Sequence, residues 1–158
     1  MSVRITRRLP GHPKPRQPFQ YDQESDVLPV TAHWLLLWAA GHVEQVGLFQ
    51  GDDRFAGTGR TVTLQASTLG AFDVAGGDGR GSSQRAYDWP AVQAANALAL
   101  ALLSDHLNGG PVEFPEGADK EEQRYARRRL VHVWGCAPGR TAAEAAAMFR
   151  AAADPFGG

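Results

Sequence analysis

The chain lacks the features that mark membrane-spanning, secreted or disulfide-bonded proteins. It has one cysteine, so no disulfide can form within it. Its longest apolar run, residues 34–41, is far shorter than the roughly 20 residues that span a bilayer. Residues 1–17 carry basic charge but no apolar segment of the kind that secretory signals need. These absences predict a cytoplasmic protein that spans no membrane.

A strong overall charge is also missing, since the formal net charge of the 158 residues is −1. The chain as a whole is therefore not a binder of polyanions. The charge is unevenly placed, however. Residues 1–20 hold five basic side chains and no acidic one, whereas the remainder holds 11 basic and 17 acidic ones. A cationic segment thus precedes an acidic body.

Residues 1–30 are predicted to form an extended arm. Proline fixes the backbone φ angle and lacks an N–H, so a proline-rich segment favours extended or polyproline-like backbone. Such a segment is either a tail or a docking arm that orders on a partner. Phe19 and Tyr21 are its candidate anchors, and Arg7 and Arg8 are its candidate contacts to an anionic partner. The prolines are Pro10, Pro13, Pro15, Pro18 and Pro29.

Residues 31–154 are predicted to form one compact all-α domain of four or five helices. The first helix follows Thr31, a favourable N-cap residue, and ends before Gly47. A second helix is expected to begin near Val62, although the β-branched residues there also suit a strand. The apolar side chains of the first helix recur at helical spacing and are predicted to face the core: Leu35, Trp38, Ala39, His42 and Val46.

Three further helices are indicated by their start signals. Asp88 is the predicted N-cap of the third helix, and Pro90 stands in its first turn. This helix carries a broad apolar stripe. The fourth begins as a charged segment after Ala118, and its last residues, 130–134, suit either a helix or a short strand; we favour helix. Thr141 and Glu144 predict a capping box at the start of the fifth.

Chemically reactive residues are few. His132 and Cys136 stand four apart, the spacing of one helix face, but a structural zinc site needs four ligands and no second pair exists. We therefore predict no metal, no cofactor and no catalytic residue. The alternative is a diverged enzyme with a pocket that gathers Ser67, His132, Cys136 and Arg140.

Nucleic-acid binding through residues 1–20 is a further alternative, because a cationic arm can contact phosphates. The run of three arginines at 127–129 is interpreted instead as a solvated helix face, since the body around it is acidic.

Three stretches, 42–52, 67–75 and 133–153, resemble an uncharacterised domain family of actinobacteria and their phages. Its pattern places G-W-x-Q-G after a first helix, then C-x-x-G-A, then W-N-D-x-P-G-R-T before a closing helix. Ser67 stands where the pattern has cysteine, and Gly135 and Cys136 stand where it has Asn-Asp. The resemblance implies a fold over about 31–154 and a source, but no activity. The matching residues are Gly47, Gln50, Gly51, Gly70, Ala71, Trp134, Pro138, Gly139, Arg140 and Thr141.

The leading functional prediction is a non-enzymatic protein that acts through a protein partner. The arm and the tryptophans favour it, because aromatic side chains often anchor interfaces. The candidate binding residues of the body are Gln50, Trp134 and Arg140. Arg140 in particular precedes a helix N-terminus, where it could contact an anion.

Overall fold

The structure is a computed structural model that describes residues 32–77 and 90–153. These residues contain five α-helices and no strand, so the predicted all-α class is confirmed. None of these helices combines the length and the apolar character that a membrane span requires. The helices are α1 (Ala32–Val46), α2 (Thr68–Ala75), α3 (Pro90–Asn108), α4 (Lys120–Gly135) and α5 (Ala142–Ala153), with a 3-10 turn at Thr61–Thr63.

Helix α1 is the central element and is buried on nearly all sides. The sequence predicted a single apolar face, but the structure also buries Leu36, Leu37 and Val43. The reason is that the apolar run 34–41 covers the whole helix circumference, which is typical of a helix surrounded by others. Helix α5 packs along α1, and α2 and α3 also contact it. Gly47 ends α1 with a φ of 95°, as the sequence predicted.

The second helix is shorter than predicted. It begins at Thr68 rather than near Val62, because the hydroxyl of Ser67 accepts the amide of Gly70 and so forms the N-cap. Ahead of it, Ala66 is in extended backbone and forms isolated bridges to both Leu48 and Phe55. The β-branched residues at 61–63 form the 3-10 turn.

The starts of α4 and α5 follow the capping rules. The predicted box at Thr141 is confirmed: its Oγ1 accepts the Glu144 amide at 3.1 Å, and the Glu144 carboxylate accepts the Thr141 amide at 2.9 Å. Asp119 and Glu122 form a second such box at α4. Residues 130–134 are helical, as favoured.

Candidate functional site

The loop after α4 gathers the three candidate binding residues of the body. Gln50 lies beside this loop, and its Nε2 donates to the carbonyl oxygens of Gly135 at 3.0 Å and Ala137 at 2.6 Å. The last carbonyls of a helix have no partner within the helix, so a side-chain donor satisfies them well. Gln50 therefore holds the C-terminal end of α4 from a segment 85 residues earlier in the chain.

Arg140 closes the same loop. Its Nε donates to the carbonyl oxygen of Trp134 at 3.1 Å, and its guanidinium carbon lies 3.8 Å from the centre of the Trp134 ring. A planar guanidinium stacks well on an aromatic face. Gly139 makes the turn with a φ of 80°. Both Trp134 and Arg140 are thus engaged in shaping the loop.

His132 and Cys136 meet, as their spacing predicted. The Cys136 Sγ lies 3.6 Å from the His132 Nε2 and 3.8 Å from the carbonyl oxygen of Gly51. Both side chains lie at the C-terminal end of α4, and Cys136 is the C-cap residue of that helix. Ser67 is buried, and its hydroxyl caps α2.

Helices α2 and α4 pack very closely at the C-terminal end of α4. A Cβ added to Gly135 would lie 2.5 Å from the Thr68 Oγ1. That hydroxyl donates in turn to the carbonyl oxygen of Val131 at 2.9 Å. Helices α2 and α4 are therefore in tight contact beside the residues that the enzyme alternative gathers. Within the described residues, no three His, Cys, Asp or Glu side chains form a group that could hold a metal ion.

Changing Gln50 to alanine should lower the free energy of unfolding by about 1–2 kcal/mol, because each of its two hydrogen bonds contributes about 0.5–1.5 kcal/mol. Urea denaturation measures this loss, and amide hydrogen exchange should quicken at 135–137. Gln93, exposed on α3, is the matched control, and its change to alanine should have little effect. Equal stability of both variants would contradict the role given to Gln50.

The arginine run at 127–129 is mostly not a solvated face, contrary to the sequence interpretation. Arg128 binds Asp73 through both terminal nitrogens, at 2.8 and 2.7 Å, and its side chain is 19% exposed. Arg54 reaches the same carboxylate at 2.7 Å. Asp73, at 9% exposure, thus ties α2 to α4 and to the segment before α2. Of the three arginines at 127–129, only Arg129 is exposed.

An open apolar groove lies where the segment before α4 folds against its first turns. The groove has a volume of about 440 Å³. Tyr125 stands in it with 68% of its surface exposed, which makes it the most exposed large apolar side chain described. The walls are Phe114, Pro115 and Ala118 from the preceding segment, and Glu121, Glu122, Tyr125 and Ala126 from α4.

The groove is held in shape by Arg127. Its guanidinium carbon lies 5.2 Å from the centre of the Phe114 ring, and its Nη1 donates to Ser104 at 2.7 Å and to Asp105 at 2.8 Å. The Asp105 carboxylate also accepts the amide of Val112 at 3.0 Å. These contacts fix the wall of the groove against α3. The site is therefore formed before any ligand arrives, which lowers the entropy cost of binding.

Sequence reasoning missed this groove. Phe114 and Pro115 stand in a polar, glycine-flanked segment, and Tyr125 lies among charged residues, where helical periodicity gives no reason to bury it. An aromatic residue on the charged face of a helix was the available signal. The arm residues Arg7, Arg8, Phe19 and Tyr21, and the predicted caps Thr31 and Asp88, lie outside the described residues.

The fold and the site define a small all-α domain with a preformed apolar groove and a closed, hydrogen-bonded loop at the other end of α4. The chain belongs to DUF6197, a family of unknown function, whose family model matches residues 28–155. No curated protein and no solved structure matches the chain. The match confirms that the chain belongs to a family without an assigned function, whereas the actinobacterial or phage source and the motif stay predictions.

Proposed function

We propose that this chain is a non-enzymatic interaction protein that binds a cationic, proline-containing segment of a protein partner in the groove along α4. The observation that carries the proposal is the exposed Tyr125 beside Phe114 and Pro115, with Glu121 and Glu122 in the same groove. The proposed setting is the cytoplasm of an actinobacterium or its phage, which the resemblance of residues 133–153 and the single cysteine support.

The lining of the groove suits this class of ligand. Proline-rich segments dock in grooves lined by aromatic side chains, because their polyproline conformation is already formed and loses little entropy on binding. The Tyr125 and Phe114 rings supply such a lining. The carboxylates of Glu121 and Glu122 would attract lysine or arginine side chains that flank the prolines. The surface is small, so we expect dissociation constants on the order of 100 µM.

Changing Tyr125 to alanine should weaken binding of such a segment at least tenfold, because a central aromatic anchor contributes about 2 kcal/mol or more. Fluorescence anisotropy of a dye-labelled peptide that alternates proline with arginine measures the affinity. Val133 is the matched control, since it is an exposed apolar residue of the same helix that does not line the groove. Affinity that survives Tyr125→Ala but falls with Val133→Ala would refute the proposed site.

The enzyme alternative rests on one contact, that of Cys136 with His132. The hydroxyl of Ser67 and the guanidinium of Arg140, which that alternative also needs, are engaged in a helix cap and in the loop. The nucleic-acid alternative depends mainly on residues 1–20, because two members of the arginine run, Arg127 and Arg128, are paired with Asp105 and Asp73. It would require binding to DNA or RNA that weakens steeply with salt.

A further inference from the structure

We infer that the groove along α4 takes as its ligand the chain's own N-terminal segment, residues 7–18. This inference rests on the proposed function of the groove and names the first occupant of that same site. In this state, which we call self-occupancy, the groove is filled by the chain's own segment. A partner segment must displace residues 7–18 before it can bind.

The chemistry of residues 7–18 matches the ligand class that the groove suits. The segment contains four prolines, four basic side chains and no acidic one. Pro10 and Pro13 are three residues apart, and so are Pro15 and Pro18. A polyproline helix has three residues per turn, so in that conformation each pair would present its rings on one side. The proline rings would then contact the aromatic side chains of the groove, while the basic side chains between them would contact its glutamate carboxylates.

The charge around the groove complements that of the segment. Residues 113–126, which include the whole lining of the groove, contain five acidic side chains and two basic ones, Lys120 and Arg124. Glu121 and Glu122 from this stretch line the groove itself. The whole chain beyond residue 20 has six more acidic than basic side chains, whereas residues 1–20 have only basic ones. Opposite charges on tethered parts of one chain attract each other, most strongly at low salt.

The chain that connects the segment to α1 is longer than the body is wide. Thirteen residues separate Pro18 from Ala32, where α1 begins. Extended backbone covers about 3.3–3.6 Å per residue, so these residues reach on the order of 45 Å. A compact domain of this size is only about 35 Å across. The segment can therefore reach most of the surface of the body.

Tethering makes even a weak ligand competitive. A short tether gives an effective concentration in the millimolar range. If the free segment binds with a dissociation constant on the order of 100 µM, the tethered copy occupies most grooves. An added peptide then binds with an apparent affinity about tenfold weaker than it would to a vacant groove.

The test uses the full chain and a dye-labelled peptide of residues 7–18 as the probe, followed by fluorescence anisotropy. In the test variant, Pro10, Pro13, Pro15 and Pro18 are each changed to glycine, which leaves the net charge unchanged. We expect this variant to bind the probe about tenfold more tightly than the unaltered chain. Pro29→Gly, which changes a proline outside the segment, is the matched control and should leave the affinity unchanged. Adding Tyr125→Ala should abolish the gain.

The outcomes separate the two levels of the proposal. Equal affinities of the unaltered chain and the four-glycine variant, both lost with Tyr125→Ala, would overturn self-occupancy and leave the proposed function standing. Binding that ignores Tyr125→Ala in both chains would overturn the groove as a site and the inference with it. A gain that appears only at high protein concentration would place the segment on a second copy and overturn occupancy within one chain.

Discussion

Replacing Asp73 with asparagine should destabilise the protein by on the order of 3 kcal/mol, because it leaves the guanidinium of Arg128, whose side chain is only 19% exposed, without its opposite charge. Two guanidinium groups, those of Arg54 and Arg128, converge on this carboxylate. An asparagine of the same shape removes the negative charge and directs an amide N–H₂ at one of them. Urea denaturation at pH 7, with the slope compared between the variants, measures the loss.

Glu44 and Arg150 supply the control for Asp73. They form a two-bond pair of the same kind between α1 and α5, with distances of 2.9 and 2.6 Å, but both side chains are more than 40% exposed. Exposed pairs contribute about 0–1 kcal/mol, so Glu44→Gln should cost little. A loss from Asp73→Asn no larger than that from Glu44→Gln would show that the burial of the Asp73 carboxylate beside Arg128 does not contribute to stability.

Acid should weaken the fold through His42. This side chain is fully buried in α1, and neither ring nitrogen has a hydrogen-bond partner within the described residues. Burial lowers the pKa of His42 from 6.5 to about 4, because an imidazolium would lose its hydration. The unfolded chain therefore binds a proton between these pH values and the folded chain does not. Stability is retained above pH 6.5 and falls by about 3 kcal/mol as the pH drops to 4.

Changing His42 to methionine should remove this part of the pH dependence, since methionine fills a similar volume and does not titrate. Denaturation midpoints measured every half unit from pH 4 to pH 7.5 test this, and the difference between the two chains isolates the histidine. His106, exposed near the end of α3, is the control residue, and His106→Gln should leave the curve unchanged. If the denaturation midpoints of the unaltered chain and of His42→Met fall in parallel as the pH drops, His42 is not a buried, neutral imidazole in the folded protein.

The parts of the fold that the sequence predicted well are those set by local chemistry. The capping box of Thr141 and Glu144 depends on residues three apart, and Gly47 ends α1 through its own backbone freedom. The predicted start of α2, near Val62, was wrong because it depends on contacts that are not local. The extended backbone at Ala66 is stabilised by Leu48 and Phe55, which are distant in the chain and leave no mark on local periodicity.

The contacts that the sequence did not predict are of long range. Asp73 and Arg128 are 55 residues apart, and nothing in an arginine run says which member finds a carboxylate. The sequence did single out Gln50, Trp134 and Arg140, and the structure gathers all three around one loop. Their contacts there satisfy backbone carbonyls, which a short sequence pattern cannot distinguish from ligand binding. Whether they also contact a partner stays a prediction.

Backbone amide chemical shifts, recorded while the proline–arginine peptide is added to the full chain, test most directly where a partner segment binds. Because each amide reports its own surroundings, the two ends of α4 are read separately in one titration. The proposed function predicts saturable shifts at residues 113–126, with residues 132–140 and Gln50 unmoved. Shifts confined to Gln50 and the 132–140 loop, with 113–126 unmoved, would contradict it and place binding at the loop that the sequence first indicated.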